Sequence, residues 1–181
     1  MSLVEAIVKL HRSIVKLKEM GRSGWAERGI RDPESVAAHS FSVAILASIF
    51  AELRGLNVPE AVIMALIHDL PESVTGDLTP EMKAGFSMLE EVELEAVREL
   101  AEKLPEPAAS QLLEAWKKYR RCSDPVSRLV RNLDKFEMGL QALEYMRRGF
   151  AGAWEIYESA LREIDDEEIR RLLEDARRAL T

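Results

Sequence analysis

Cysteine is almost missing from this chain, with Cys122 the only one in 181 residues. An intrachain disulfide is excluded, and a lone thiol suits a reducing compartment, so a cytoplasmic location is expected. Positive charge is also in short supply: 25 Lys and Arg face 32 Asp and Glu, giving a net charge of -7 and a pI near 5.2. Such a surface repels a phosphate backbone. That argues against a nucleic-acid polymer as partner, yet leaves room for a small phosphate ester at a locally positive site. No basic stretch with a long apolar run opens the chain, and no run approaches a membrane span, so neither a leader nor a membrane partner is expected. Histidine occurs three times, at His11, His39 and His68. What is present is an ordinary globular composition, 47% hydrophobic and 31% charged, enough to bury a core in a single domain over 1–181.

The apolar periodicity is helical almost throughout, and the expected class is all-α, a single helical bundle without a convincing strand. Ser2 and Glu5 form a capping-box pattern, and Val4, Ile7, Val8, His11, Ile14 and Val15 follow at helical spacing. His11 on that stripe reads as a packed core histidine. Three glycines and Pro33 make 21–33 read as a loop, which carries Trp25 with Arg22, Arg28 and Arg31. Two readings of it stay open. Arginine forks beside a flat indole can hold a phosphate ester, or Trp25 can plug the core edge below solvated arginines.

A helix from Ser35 to about Leu53 places His39, Val43, Leu46 and Phe50 on one face. The next helix, with Pro59 in its first turn, leads into His68, Asp69, Pro71, Glu72, Gly76 and Asp77. His68 and Glu72 are four apart and share a helix face. Pro71 cannot donate to the Ile67 carbonyl, so it should kink or end that helix. Ser87 and Glu90 suggest a second capping box. Asp124 and Pro125 open a long helix through Leu133 and Leu143, with Asp134 on or near its apolar stripe. Two amphipathic helices over 153–180 should pack on a core of about 22–145.

His39, His68, Asp69 and Asp134 are thus polar residues on inward faces of three helices. A carboxylate in such a place is costly unless it is paired or holds a metal. Two imidazoles with two carboxylates suit one divalent transition metal (Co, Mn, Fe, Ni or Zn), and Mg is compatible. Glu72 and Asp77 stand near this set without belonging to it. They are candidates for proton transfer to and from an attacking water and a leaving alcohol.

The segments Arg22–Trp25, Pro33–His39, Met64–Glu72, Thr75–Pro80 and Leu133–Tyr145 together resemble the HD-domain metal-dependent phosphohydrolases, and within them the 5′-deoxynucleotidase family. The resemblance implies an all-helical homodimer that hydrolyses 2′-deoxynucleoside 5′-monophosphates to deoxynucleoside and phosphate. It implies metal ligation by His39, His68, Asp69 and Asp134, catalysis by Glu72 and Asp77, and substrate contacts from Arg22, Trp25 or Arg28. Family members usually carry an acid directly before the first ligand histidine. This chain has Ala38 there, which makes Glu34 the candidate substitute partner for His39. Two-metal relatives use further histidines before the last aspartate, and none follows His68. A non-catalytic metal-holding module, or an HD phosphohydrolase acting on another small phosphate ester, is the alternative; the first would have no use for Glu72 and Asp77.

Overall fold

The computed structural model describes residues 2–102 and 104–180. Helix α1 (Leu3–Glu19) begins at the expected capping box, with Glu5 N donating to Ser2 Oγ at 3.3 Å and Ser2 N to Glu5 Oε2 at 2.7 Å. Its orientation differs from the expectation. Ala6 and Leu17 face inward, whereas Val4, Ile7, Val8 and Ile14 are exposed, and His11 is exposed with them. His11 is therefore no core residue: α1 lies at the edge of the bundle and offers its smaller apolar side to its neighbours.

The stretch expected as a loop contains one helical turn, α2 (Ser23–Glu27), with Trp25 its buried residue. Two strand-like hydrogen bonds hold its ends, Arg22 N to Glu34 O at 3.0 Å and Val36 N to Met20 O at 2.9 Å. Helix α3 (Val36–Leu53) starts at Ser35, whose hydroxyl accepts the Ala38 N–H. Its inner side carries Val36, His39, Ser40, Val43, Ala44, Ala47 and Ala51, small residues that permit close approach of neighbours. By length and composition alone α3 could cross a membrane, contrary to the reading that no run approaches a span. Its buried side holds His39 and packs on α4 (Val58–Ile67) and α9 (Pro125–Arg147), which accounts for the apolar composition.

Helix α4 ends where Pro71 requires it to. The chain tightens through Leu70 N to Ile67 O at 3.0 Å, then restarts as α5 (Glu72–Thr75) and leaves at Gly76, which has φ 80°. Helices α6 (Pro80–Ala84), α7 (Leu89–Ala101) and α8 (Ala108–Arg121) follow. The second capping box does not form: α7 begins after Met88, with no side-chain cap.

Helix α9 runs through the middle of the core on Val126, Leu129, Val130, Leu133, Phe136 and Leu143. Helices α10 (Ala153–Glu163) and α11 (Glu167–Leu180) pack on it. Gly139 allows this, since a Cβ there would lie 2.5 Å from Leu173 Cδ2 and 3.3 Å from the Ala160 Cβ. Leu173 is accordingly buried, whereas its neighbour Leu172 is exposed. The acidic turn between the last two helices is not idle surface. Arg54 bridges Asp166 at 2.5 Å and Glu168 at 2.8 Å, and the Asn132 side-chain oxygen accepts the Asp165 and Asp166 N–H groups.

Candidate active site

Three elements bring the inward polar residues to one point. His39 comes from the second turn of α3, His68 and Asp69 from the broken end of α4, and Asp134 from mid-α9. Ligand-capable atoms of His39, His68 and Asp134 lie within 4.8 Å of one another. Asp69 Oδ2 is 3.1 Å from His68 Nε2 and 3.9 Å from His39 Nε2. Each imidazole is held through its other nitrogen: His68 Nδ1 donates to Ala65 O at 2.7 Å, and His39 Nδ1 meets Glu137 Oε2 at 2.5 Å. Both therefore turn Nε2 toward the carboxylates. His68 Nε2 is buried without a hydrogen-bond partner, since its approach to Asp69 lacks hydrogen-bond alignment. An orphaned imidazole nitrogen facing carboxylate oxygens is an arrangement that a divalent cation completes, and the donor set fits one.

The electrostatics agree. Burial opposes ionisation of Asp69, but His68, His39 and Arg22 hold its carboxyl below the ordinary range. Burial likewise works against Asp134, and Lys135 with the two histidines outweighs it, holding that carboxyl well down. Burial and Arg22 disfavour the charged form of His39, yet its bonds to Asp134 and Glu137 push it up to about 9. Tyr119 Oη adds a hydrogen bond to Asp134 Oδ2 at 3.0 Å, and Lys135 Nζ stands 3.2 Å from the same oxygen.

Beside these four residues opens a cavity of about 500 Å³ lined by Glu72, Asp77, Arg22, Lys83 and Lys135 among others. Glu72 is buried with Oε2 unpartnered, and its nearest cation is Lys83 at 3.9 Å from Oε1. Burial, then Asp69 and Asp77, push its carboxyl up to about 10, so it holds a proton at neutral pH. Asp77 is fixed differently. Its Oδ2 accepts the Ser23 N–H, and its backbone carbonyl accepts Ser23 Oγ at 2.8 Å. Arg22 stands 3.6 Å from Asp69 Oδ2 and 4.0 Å from Glu34. Burial works against its charge, but Asp69, Asp134, Asp77 and Glu34 more than compensate.

The pattern of the HD domain matches residues 14–176. The 5′-deoxynucleotidase HDDC2 of Homo sapiens is 34% identical over 140 residues, covering 77% of this chain and 68% of that protein. The chain belongs to the HD-domain family. The relative from Dictyostelium discoideum, also named 5′-deoxynucleotidase HDDC2, is 34% identical and matches 74% of each chain. Among solved structures, a conserved hypothetical protein from Pyrococcus furiosus superposes with a TM-score of 0.79 at 32% identity, over 94% of this chain and 99% of the other. The resemblance read from the motifs is thus shown, as is the all-helical class.

Within the HD domain, the other expected residues are placed as follows. Trp25 is 1% exposed, stands edge-on to Tyr145 at 5.0 Å and donates Nε1–H to Glu34 at 3.0 Å; it touches the cavity from the core side. Arg28 reaches the cavity but is engaged by the Gly24 carbonyl at 3.0 Å and by Glu155 at 3.2 Å. Glu34 does not reach His39 as a hydrogen-bond partner. That place belongs to Glu137, which sequence reasoning passed over. Its signal was available: Glu137 follows Asp134 by three residues on a mostly apolar helix face, one turn further along. Tyr119 and Lys135 were also missed as companions of Asp134.

Proposed function

We propose that this HD-domain chain, acting as one domain, is a metal-dependent 5′-deoxynucleotidase that hydrolyses 2′-deoxynucleoside 5′-monophosphates to deoxynucleoside and phosphate. The observation that carries this is the buried, unpartnered His68 Nε2 among Asp69, Asp134 and His39, beside the buried Glu72 carboxyl in one cavity. The names of the curated relatives support the substrate class. His39, His68, Asp69 and Asp134 would hold one divalent transition ion, with Co or Mn first among those to try. The ion would supply Lewis acidity next to the phosphoryl group.

The remaining chemistry falls to side chains. Arg22, a half-buried fixed charge, neutralises a phosphate oxygen and orients the ester. Asp77, pinned by the Ser23 N–H, accepts the proton of the attacking water. Glu72, kept protonated, donates to the 5′ oxygen as it leaves. Trp25 bears on the substrate through the wall it forms, and Arg28 through the rim. No nucleophilic side chain is needed, because Asp69 and Asp134 are committed to the ion. Hydrolysis in heavy-oxygen water should label the released phosphate in one turnover; label found in a protein carboxylate would sink direct attack. Asp134→Ala should lose both bound metal and turnover, and unchanged metal content would overturn the ligand assignment.

The same reading places the protein in the cytoplasm as a homodimer. A surface supports the second point. Helix α3 carries no Asp, Glu, Lys or Arg between Val36 and Ala51, and its outer side shows Phe41, Ile45, Ile49 and Leu53. With the outward stripe of α1, from Leu3 to Ile14, this gives two apolar strips, each roughly 17 Å long and roughly 10 Å wide. Together they cover roughly 350 Å², the size of patch that marks an interaction site. We infer that a second copy covers them.

A further inference from the structure

Helix α8 supplies no ligand, yet one of its side chains touches two of the four ligand residues. The Tyr119 ring stands 5.2 Å from the His68 ring, tilted by 55°, and its hydroxyl meets Asp134 Oδ2 at 3.0 Å. The half-buried ring also lines the cavity and packs against the main core. The proposed reaction gives it no task. Chemistry fixes the direction of its hydrogen bond. An ionised carboxylate can only accept, and a phenol keeps its proton at neutral pH, so Oη is the donor.

That bond sets the two oxygens of Asp134 apart. Oδ1 stands on the ligand side, 3.1 Å from His39 Nε2. Oδ2 is taken by Tyr119 Oη and, at 3.2 Å, by Lys135 Nζ. The two donors are not equivalent. Lys135 has a flexible stem and a second carboxylate to turn to, Glu163 at 3.4 Å, and a divalent ion at Oδ1 would repel its charge. Tyr119 is neutral and its ring is held by packing, so a cation does not drive it away. A carboxylate with one oxygen occupied in this way offers only the other to an ion. We propose that Tyr119 is a positioning residue that makes Asp134 a one-oxygen ligand, through Oδ1. The consequence is room in the site. Manganese takes about six donors in an octahedral site. With His39, His68, Asp69 and one Asp134 oxygen bound, about two places stay open for water and a substrate oxygen, and a chelating Asp134 would close one of them. The proposal rests on the reading of Asp134 as a ligand and is independent of which phosphate ester is hydrolysed.

Water-proton relaxation of the full-length protein at saturating manganese, expressed per bound ion, counts the waters on the metal and tests this. Tyr119→Phe keeps the ring and loses only the donor, so the fold should survive. Oδ2 is then free to turn in to the ion, and the relaxation enhancement should fall about twofold. Lys135→Met leaves Tyr119 in place and should keep the wild-type enhancement. A hydroxyl that only stabilises the fold would lower the urea midpoint of Tyr119→Phe and leave the enhancement unchanged, which would overturn the proposal. A twofold fall in Lys135→Met would overturn it as well, whatever the folding of Tyr119→Phe. If Asp134→Ala keeps its manganese, the ligand reading itself fails. If Asp134→Ala loses the ion while Tyr119→Phe matches the wild type, that reading stands and only the positioning role fails.

Discussion

The 2.5 Å bond from His39 Nδ1 to Glu137 decides which imidazole nitrogen faces Asp134 and Asp69. A carboxylate in that position orients a ligand histidine and raises its basicity. Glu137→Gln should therefore weaken metal binding by about 10- to 100-fold, measured by competition with a chromophoric chelator. Unchanged affinity would mean that Glu137 only fills space. Glu72 makes a different use of burial. Its carboxyl stands at about 10 in the folded chain against an ordinary 4.5, so the folded state keeps a proton that the unfolded state gives up above 4.5. Stability accordingly falls as pH rises through that window. Glu72→Gln removes this penalty, and in metal-free protein its melting temperature should exceed that of the wild type by more at pH 8 than at pH 5. The same variant should keep its metal when loaded and lose about 10²- to 10⁴-fold in turnover. A constant melting difference across pH would show that Glu72 is ionised in the fold. That His39, His68, Asp69 and Asp134 come together was legible in the sequence because histidine and aspartate on apolar faces contradict their surroundings. Glu137 carried the same signal, a charge one turn after Asp134 on a mostly apolar face, but no pattern in the chain says that His39 of a distant helix lies opposite it.

Among the elements, α9 contributes most to both fold and site. Its Gly139 lets α11 and α10 approach, and the helix then holds Asp134, Lys135 and Arg131 toward the cavity. A β-branched side chain at 139 would meet Leu173 and Ala160, so Gly139→Val should destabilise the protein by about 1–3 kcal/mol in urea unfolding. A neutral or stabilising effect would show that α11 moves away freely. Helix positions and most caps were legible from periodicity, Ser2, Ser35, Asp124 and the proline break at Pro71 among them. Which side of an amphipathic helix is covered was not. The stripe of α1 carrying His11 has the spacing of a core face, yet the chain folds with Ala6 and Leu17 inward. The 21–33 stretch was misread for a related reason. Its glycines speak for a loop, but Trp25 gains enough burial to fold a single turn around itself.

For the whole molecule, the exposed apolar strips of α1 and α3 are what the proposed pairing of two copies would cover. Phe41→Glu combined with Ile45→Lys should convert the dimer to a monomer in sedimentation at micromolar concentration, with little change in the melting of the protomer, because both side chains are exposed. A wild-type monomer at that concentration would contradict the pairing. The central claim concerns the chemistry at His39, His68, Asp69 and Asp134, and phosphate release tests it most directly. Protein loaded with cobalt or manganese should release phosphate from a panel of 2′-deoxynucleoside 5′-monophosphates, stop when the metal is stripped, and resume when it is restored. A protein that holds one equivalent of metal and releases no phosphate from any member of the panel would contradict it.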